Sequence, residues 1–381
     1  MKKYTAFLFL LLLAPTVVAT PAAFETKAGF AYLIDMATGR IILEKNAHQP
    51  TAPSSMSKLM TIYLAFERLK NGSLHFEDTF LVSERAWRMG GSRMFVNLGE
   101  QVSVADLLRG MIVQSGNDAC VVLAEGMMGS EEAFVDTMND KATALGLKES
   151  HFMNATGWPH DEHVMSAYDL ALLAQRLILD FPDLYPMFAE TTFTHNNITQ
   201  PNRNMLLGRN IGVDGLKTGH ADKAGFGIVL SAKQKQRRLL LVINGLRSMA
   251  ERSHEAERLL NYGFQQFTLV TPFVKGQQIT RVPIWMGNKN QMGLVAATDV
   301  VVTVPRFAKR DYRIEAHYNQ PIIAPVQAGD VLGELRVIQG SGEQQLVETF
   351  PLVAQESATH LPPVMRAISR TQDIVKSILG K

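Results

Sequence analysis

Three short groups of residues in this chain of 381 have types and spacings that suit nucleophilic chemistry. Ser55-Met56-Ser57-Lys58 sets a hydroxyl and an amine three residues apart at the head of an apolar stretch. On a helix that spacing puts both groups on one face, and the positive helix N-terminus favours negative charge developing on the serine oxygen. Ser115-Gly116-Asn117 lies between two apolar helical stretches, where a tight glycine turn can aim Ser115 and Asn117 into a cleft. The plainer alternative is a helix boundary capped by Asn117 or Asp118. Lys217-Thr218-Gly219, followed by His220, stands just before a β-rich run. Glycine there admits a substrate backbone to a sheet edge, while Lys217 supplies charge and Thr218 a hydroxyl. Alone it also reads as a turn with a solvated lysine. Each group is a weak signal by itself, and all three in this order are a much stronger one.

The elements around them follow from periodicity. Residues 30–34 and 41–43 read as two strands around the turn Met36-Ala37-Thr38-Gly39. Residues 58–69 repeat apolar side chains at helical spacing, with Pro53 and Ser54 as entry signals. Helices are expected near 104–113, 117–127, 131–145 and 167–179, strands at 226–232 and 239–244, and a helix over 251–267. With strands at both ends and helices between, the closing strands can join the opening pair in one antiparallel sheet, an α/β domain over 24–268. After Thr271-Pro272 the chain turns to short strands at 279–284, 293–295, 300–304, 312–316, 331–338 and 345–351, the pattern of a small all-β sandwich over 269–354.

The two ends carry their own signals. Met1-Lys2-Lys3, an apolar run to Leu13 and small residues through Ala23 read as a secretory signal peptide, 1–23. A transmembrane anchor is the alternative, but Pro15 interrupts a run already short of the ~20 residues a spanning helix needs. The formal charge is +2, and removing Lys2 and Lys3 with no acid leaves the mature chain neutral, so composition makes no case for nucleic acid. After a polar, proline-ended linker at 355–363, residues 364–381 set Val364, Ile368, Thr371, Val375, Ile378 and Leu379 on one helical face. Arg366, Arg370, Lys376 and Lys381 stand beside a single Asp373. An amphipathic helix of that kind suits an anionic membrane surface; a terminal helix packed on its own domain is the bland alternative. The lone Cys120 sits in an apolar run and reads as a buried small hydrophobe. His160-Asp161-Glu162-His163 is a tempting metal pair in a loop, but no metal and no cofactor are expected.

Together, the motifs, the longer phrases LRGMIVQSGNDA (108–119) and VDGLKTGHADKAG (213–225), the β-rich second domain and the amphipathic tail resemble the low-molecular-weight penicillin-binding proteins of the D-alanyl-D-alanine carboxypeptidase family. The resemblance spans nearly the whole chain. It implies a penicillin-recognising, β-lactamase-like catalytic domain that removes the terminal D-alanine from peptidoglycan pentapeptides and is acylated by β-lactam antibiotics. It also implies residence at the periplasmic face of the bacterial inner membrane as a peripheral protein.

In that reading Ser55 is the nucleophile, and Lys58 its base, kept neutral by burial and by the nearby charge of Lys217. Ser115 and Asn117 relay protons and hold the substrate amide. The backbone N–H groups of Ser55 and of His220 form the oxyanion hole. Lys217, Thr218, Arg203 and Arg252 meet the leaving carboxylate; the alternative for the two arginines is a surface salt bridge. Two departures stand out: Ala221 replaces a threonine found in relatives, and the loop around 89–94 is shorter. A D,D-endopeptidase, a β-lactamase, and a catalytically silent wall-binding scaffold are the rival readings.

Overall fold

The computed structural model describes residues 24–308, 312–340 and 345–365. The expected leader (1–23) and residues 366–381 of the expected terminal helix lie outside the described residues.

The chain's first and last catalytic-domain strands meet. Five strands align in the order Ile41–Lys45, Phe30–Asp35, Arg237–Leu246, Gly225–Gln234, Val213–Ala221, with every neighbouring pair antiparallel. In the central strand Leu240 and Val242 enter one core while Leu239, Leu241 and Ile243 enter another. That alternation is what a strand covered on both faces requires. The first core is closed by the helices Lys58–Asn71, Val104–Gln114, Asn117–Met128, Glu131–Leu145 and Ala167–Asp180. The second is closed by Met249–Gln266 through Ala256, Leu259, Leu260 and Phe264.

Helix starts follow local chemistry. Ser103, Ser130, Ser166 and Ser248 each accept a hydrogen bond from the third following backbone N–H, and each first turn carries an acid suited to the helix dipole. The helix Lys58–Asn71 differs in being buried at every position from Lys58 to Phe66. A helix enclosed on all sides is a central strut rather than a surface element.

The second unit packs Val282, Leu294, Val302, Leu335, Val337 and Leu352 between a six-stranded sheet and the strand pair Phe267–Phe273 with Val300–Pro305. Here the structure departs from expectation at the joint. The helix ends at Gln266 and a strand opens at once with Phe267, carrying Pro272 inside it. Pairing skips between Val270 and Phe273, which is how a strand accommodates a residue without an N–H. The segment expected as a free linker is also tied down: Ala358 N–H donates to Val326 O at 2.9 Å and Leu361 N–H to Met286 O at 2.9 Å. The hairpin Thr192–His195 with Ile198–Pro201 had no expectation behind it. No helix among the described residues is long and apolar enough to cross a membrane.

One buried ion pair fixes the joint. Asp35, fully buried, accepts from Arg237 Nε at 2.6 Å and from Thr303 Oγ1 of the second unit at 3.0 Å. Arg237 Nη1 also donates to Gly263 O and Phe267 O, both at 2.9 Å. Removing one partner leaves a buried charge uncompensated. Arg237→Met should therefore lower the free energy of unfolding by about 3 kcal/mol, read by chemical denaturation; an unchanged midpoint would show that the joint is held by packing alone.

Candidate active site

Ser55 lies in the 3₁₀ turn Ser54–Ser57, and Lys58 opens the α-helix that follows. The Lys58 ammonium nitrogen is within 2.9 Å of Ser55 Oγ, donates to Asn117 Oδ1 at 2.7 Å, and makes a third, short contact with Thr156 O. Burial pushes the Lys58 pKa down to about 8, and the charge of Arg203 adds to the effect. Neither the carbonyl of Thr156 nor that of Asn117 can donate. Once neutral, the amine keeps its two N–H bonds on those oxygens, and its lone pair is left for the Ser55 hydroxyl. This geometry is that of a base held against its nucleophile.

Ser115 ends the helix Val104–Gln114 in the left-handed region, at φ 64°, a conformation that costs a non-glycine residue energy. Its Oγ is buried and has no hydrogen-bond partner among the described residues. Asn117 begins the next helix, and Gly116 rather than Asn117 or Asp118 takes the capping position. Besides meeting Lys58, Asn117 donates from Nδ2 to Gly90 O at 2.9 Å and from its backbone to Ser92 O at 2.7 Å. The fully buried Asp118 accepts from the backbone N–H groups of Met94 and Phe95, both at 2.9 Å. The pair Asn117-Asp118 thus ties the 90–95 loop beside the nucleophile.

Lys217, Thr218, Gly219 and His220 lie inside the strand Val213–Ala221 rather than ahead of it. Among the described residues this strand is the free edge of the sheet and pairs only with Gly225–Gln234. Gly219 also has a packing role. A Cβ there would stand 2.9 Å from Pro53 O and 3.3 Å from Met56 N, so its bareness lets the Ser55 turn press against the strand. Gly157, at φ 77°, does the same from behind, where a Cβ would fall 2.0 Å from Ser54 O.

These elements enclose a cleft of about 520 Å³ whose lining includes Ser55, Ser115, Asn117, Trp158, Thr218 and His220. Arg203 and Arg252 line it as well. Arg252 is buried, donates to Arg203 O at 3.2 Å, and leaves Nε without a partner; burial, with Arg203 beside it, lowers its pKa to about 10. Lys217 is buried and donates only to Thr218 O, at 3.1 Å. Its pKa falls well below the ordinary lysine value through burial first and the charges of Lys58 and Arg203 next. Lys58 and Lys217 repel each other, as expected, and Arg203 adds its charge against both. No carboxylate pairs with Lys58, Lys217, Arg203 or Arg252 among the described residues. Cations left without acids, with Arg252 buried and Arg203 exposed at the cleft wall, make a site for an anion, and among the described residues neither arginine forms the salt bridge of the alternative reading.

Sequence reasoning passed over Thr156 and took Asp118 only as a possible helix cap; both hold others through backbone contacts that leave no mark in a motif. Cys120 is buried, and burial pushes its thiol up to about 12. His163 is buried, accepts from Met153 N–H at 3.2 Å, and burial holds its pKa near about 4.

A serine pressed against a buried amine, beside an anion-receiving sheet edge, defines a serine acyl-transfer enzyme. Comparison with known proteins narrows the class. The model of the family described as D-alanyl-D-alanine carboxypeptidase matches residues 16–248, and that of the penicillin-binding protein 5 C-terminal domain matches residues 267–359. D-alanyl-D-alanine carboxypeptidase DacA of Escherichia coli is 39% identical over 84% of this chain and 81% of its own. DacC of the same organism is 37% identical over 92% and 89%. The crystal structure of penicillin binding protein 5 from Haemophilus influenzae superposes with a TM-score of 0.78 at 34% identity, covering 88% of this chain and 98% of that one. Penicillin-Binding Protein D2 from Listeria monocytogenes, in its ampicillin-bound form, superposes at 0.58 with 28% identity over 64% and 99%. The chain belongs to the D-alanyl-D-alanine carboxypeptidase family, and its activity is that of a serine carboxypeptidase.

Lys58 can accept a proton only as the free amine, which dominates above its pKa of about 8. The second-order rate of penicillin acylation should accordingly rise roughly tenfold per pH unit below that value and level off above it. A stopped-flow profile that is flat between pH 6 and 9, or that falls, would remove Lys58 as the base.

Proposed function

We propose that the chain releases the terminal D-alanine from peptidoglycan pentapeptides through an acyl-enzyme on Ser55. The observation that carries this reading is the Lys58 amine, 2.9 Å from Ser55 Oγ with its other contacts on oxygen acceptors. Ser55 Oγ attacks the carbonyl of the penultimate D-alanine and passes its proton to Lys58. The backbone N–H groups of Ser55 and His220 receive the oxyanion. The C–N bond then breaks, and the leaving amine takes a proton by way of Ser115, whose hydroxyl is otherwise unpartnered. Asn117 holds the substrate amide. Lys217, Thr218, Arg203 and Arg252 receive the free carboxylate, which separates a carboxypeptidase from an enzyme that cuts inside a cross-link. Water next cleaves the ester and frees Ser55. A β-lactam enters by the same attack.

Labelling with a fluorescent penicillin and assay of D-alanine release test the assignment together. The wild type should form one covalent adduct and release D-alanine from a pentapeptide. Ser55→Ala should abolish the adduct and lower release by at least about 10³-fold. An undiminished adduct on Ser55→Ala would reject Ser55. Rapid penicillin hydrolysis without D-alanine release would indicate a β-lactamase instead.

The leader pattern at 1–23 and the basic amphipathic pattern at 364–381 support export and a peripheral place on the periplasmic face of the inner membrane. A chain ending at Ala354 should lose co-sedimentation with anionic liposomes that the full mature chain retains. Equal binding of the two would refute an anchoring role for the tail.

A further inference from the structure

Lys58 takes its third contact from a backbone carbonyl, that of Thr156, in a stretch with neither helix nor strand to hold it. Such an oxygen keeps its aim only if the peptide plane that bears it is fixed. One side chain does the fixing. Asn154 Oδ1 accepts from the backbone N–H groups of Thr156, Gly157 and Trp158 at 3.2, 2.8 and 2.9 Å, and from Thr156 Oγ1 at 3.0 Å. Trp158 N–H also reaches Thr156 Oγ1 at 3.0 Å, and Asn154 Nδ2 closes the turn on Trp158 O at 3.0 Å. An ordinary turn of this kind engages a single N–H two residues on. Here three successive N–H groups and a hydroxyl converge on one oxygen.

The shortest of the four bonds is the informative one. The peptide joining Thr156 to Gly157 is planar and trans, so its N–H and its C=O point in opposite directions. Asn154 grips that unit by the Gly157 N–H at 2.8 Å, and the Thr156 carbonyl on the far side meets the Lys58 amine. Two hydrogen bonds through one peptide unit polarise each other in the same sense. The unit also lies against the Ser55 turn, since a Cβ on Gly157 would fall 2.0 Å from Ser54 O and 2.6 Å from Ser57 Oγ. Asn154 is absent from the lining of the cleft and touches neither Ser55 nor Lys58.

We propose that Asn154 is a positioning residue for the base: by holding the Gly157 N–H it aims the opposed Thr156 carbonyl at Lys58 and so keeps the amine against Ser55. The inference rests on the acyl-enzyme reading above, with Lys58 as base, and adds to it a residue that acts only through a peptide unit. Its loss has two consequences. The amine is misplaced, which slows proton transfer, and the ammonium form loses an acceptor, which makes it give up its proton at lower pH.

The second-order rate of penicillin acylation, measured against pH on the full mature chain, tests this in two variants whose folding is checked by thermal melting. Asn154→Ala should lower the plateau about tenfold to hundredfold and move the rise of the profile to lower pH. Asn154→Asp keeps the accepting oxygen and gives up only the solvent-exposed bond to Trp158 O. Its plateau should stay within about threefold of the wild type, while its charge moves the rise about one pH unit higher. A general loss of stability would not move the two profiles in opposite directions. A wild-type plateau in Asn154→Ala would show that packing of Gly157 on the Ser55 turn aims the carbonyl unaided, and would overturn the assignment. An Asn154→Asp plateau as low as that of Asn154→Ala, or an Asn154→Asp profile superimposed on the wild type, would overturn it too, and these decide alone if Asn154→Ala does not fold. A flat wild-type profile rejects the base on which the inference rests, whereas a rising wild-type profile with unchanged variants rejects Asn154 alone.

Discussion

A lysine amine without a carboxylate, buried beside a serine hydroxyl, is the constraint around which the catalytic domain is arranged. Lys58 is fully buried and is met by Ser55 Oγ, Asn117 Oδ1 and Thr156 O. An isolated ammonium in such a place is costly, and it relieves the cost by giving up its proton. Function requires that same neutral form. What would be a defect in a core is here the source of a base, provided the surroundings keep water and acids away. The helix that carries Lys58 is accordingly buried all round from Lys58 to Phe66.

The sheet supplies the second half of the arrangement. Because Phe30–Asp35 pairs with Arg237–Leu246, a strand from late in the domain, Val213–Ala221, is carried to the free edge facing a turn from its beginning. Gly219 and Gly157 then allow backbones to close on both sides of Ser55 at distances no side chain permits. The strained Ser115 and the loop tied by Asn117 and Asp118 complete the wall. Stability is spent locally to hold these groups, as is usual where a hydroxyl must stay unpaired and available.

The sequence made the elements legible because each obeys its own period. Helices at Glu131–Leu145 and Ala167–Asp180, and strands at Gly225–Gln234 and Arg237–Leu246, stand close to where periodicity puts them. The hydroxyl, amide and amine groups of Ser55, Lys58, Ser115, Asn117 and Lys217 were legible as motif letters; the fold brings Ser55, Ser115 and Asn117 to one cleft, with Lys58 buried against Ser55 and Lys217 buried next to Thr218 of its lining. Interactions made through backbone atoms were not legible. Thr156 offers Lys58 a carbonyl, and any residue has one; Asp118 binds N–H groups of a loop 22 to 24 residues away. The joint after Gln266 was misread because a helix passes into a strand with no turn residue between them, and the Pro272 that looked like punctuation sits within the strand. The packing of the Ser55 turn on Gly219 was not legible either, since a missing Cβ does not announce which neighbour fills the space.

The distribution of acids explains how one domain keeps Lys58, Lys217 and Arg252 buried, beside the exposed Arg203, with no carboxylate paired to any of them among the described residues. Asp35 is engaged with Arg237 and Thr303 at the joint between units, and Asp118 is engaged with backbone N–H groups at a helix start. Both carboxylates hold structure, and neither forms an ion pair with Lys58, Lys217, Arg203 or Arg252. An acid placed among those cations would raise the proton affinity of Lys58 and occupy the positions a ligand carboxylate needs. Leaving Lys217 and Arg252 buried without an acid lowers the stability of the empty site, a cost that an anion bound beside them would offset.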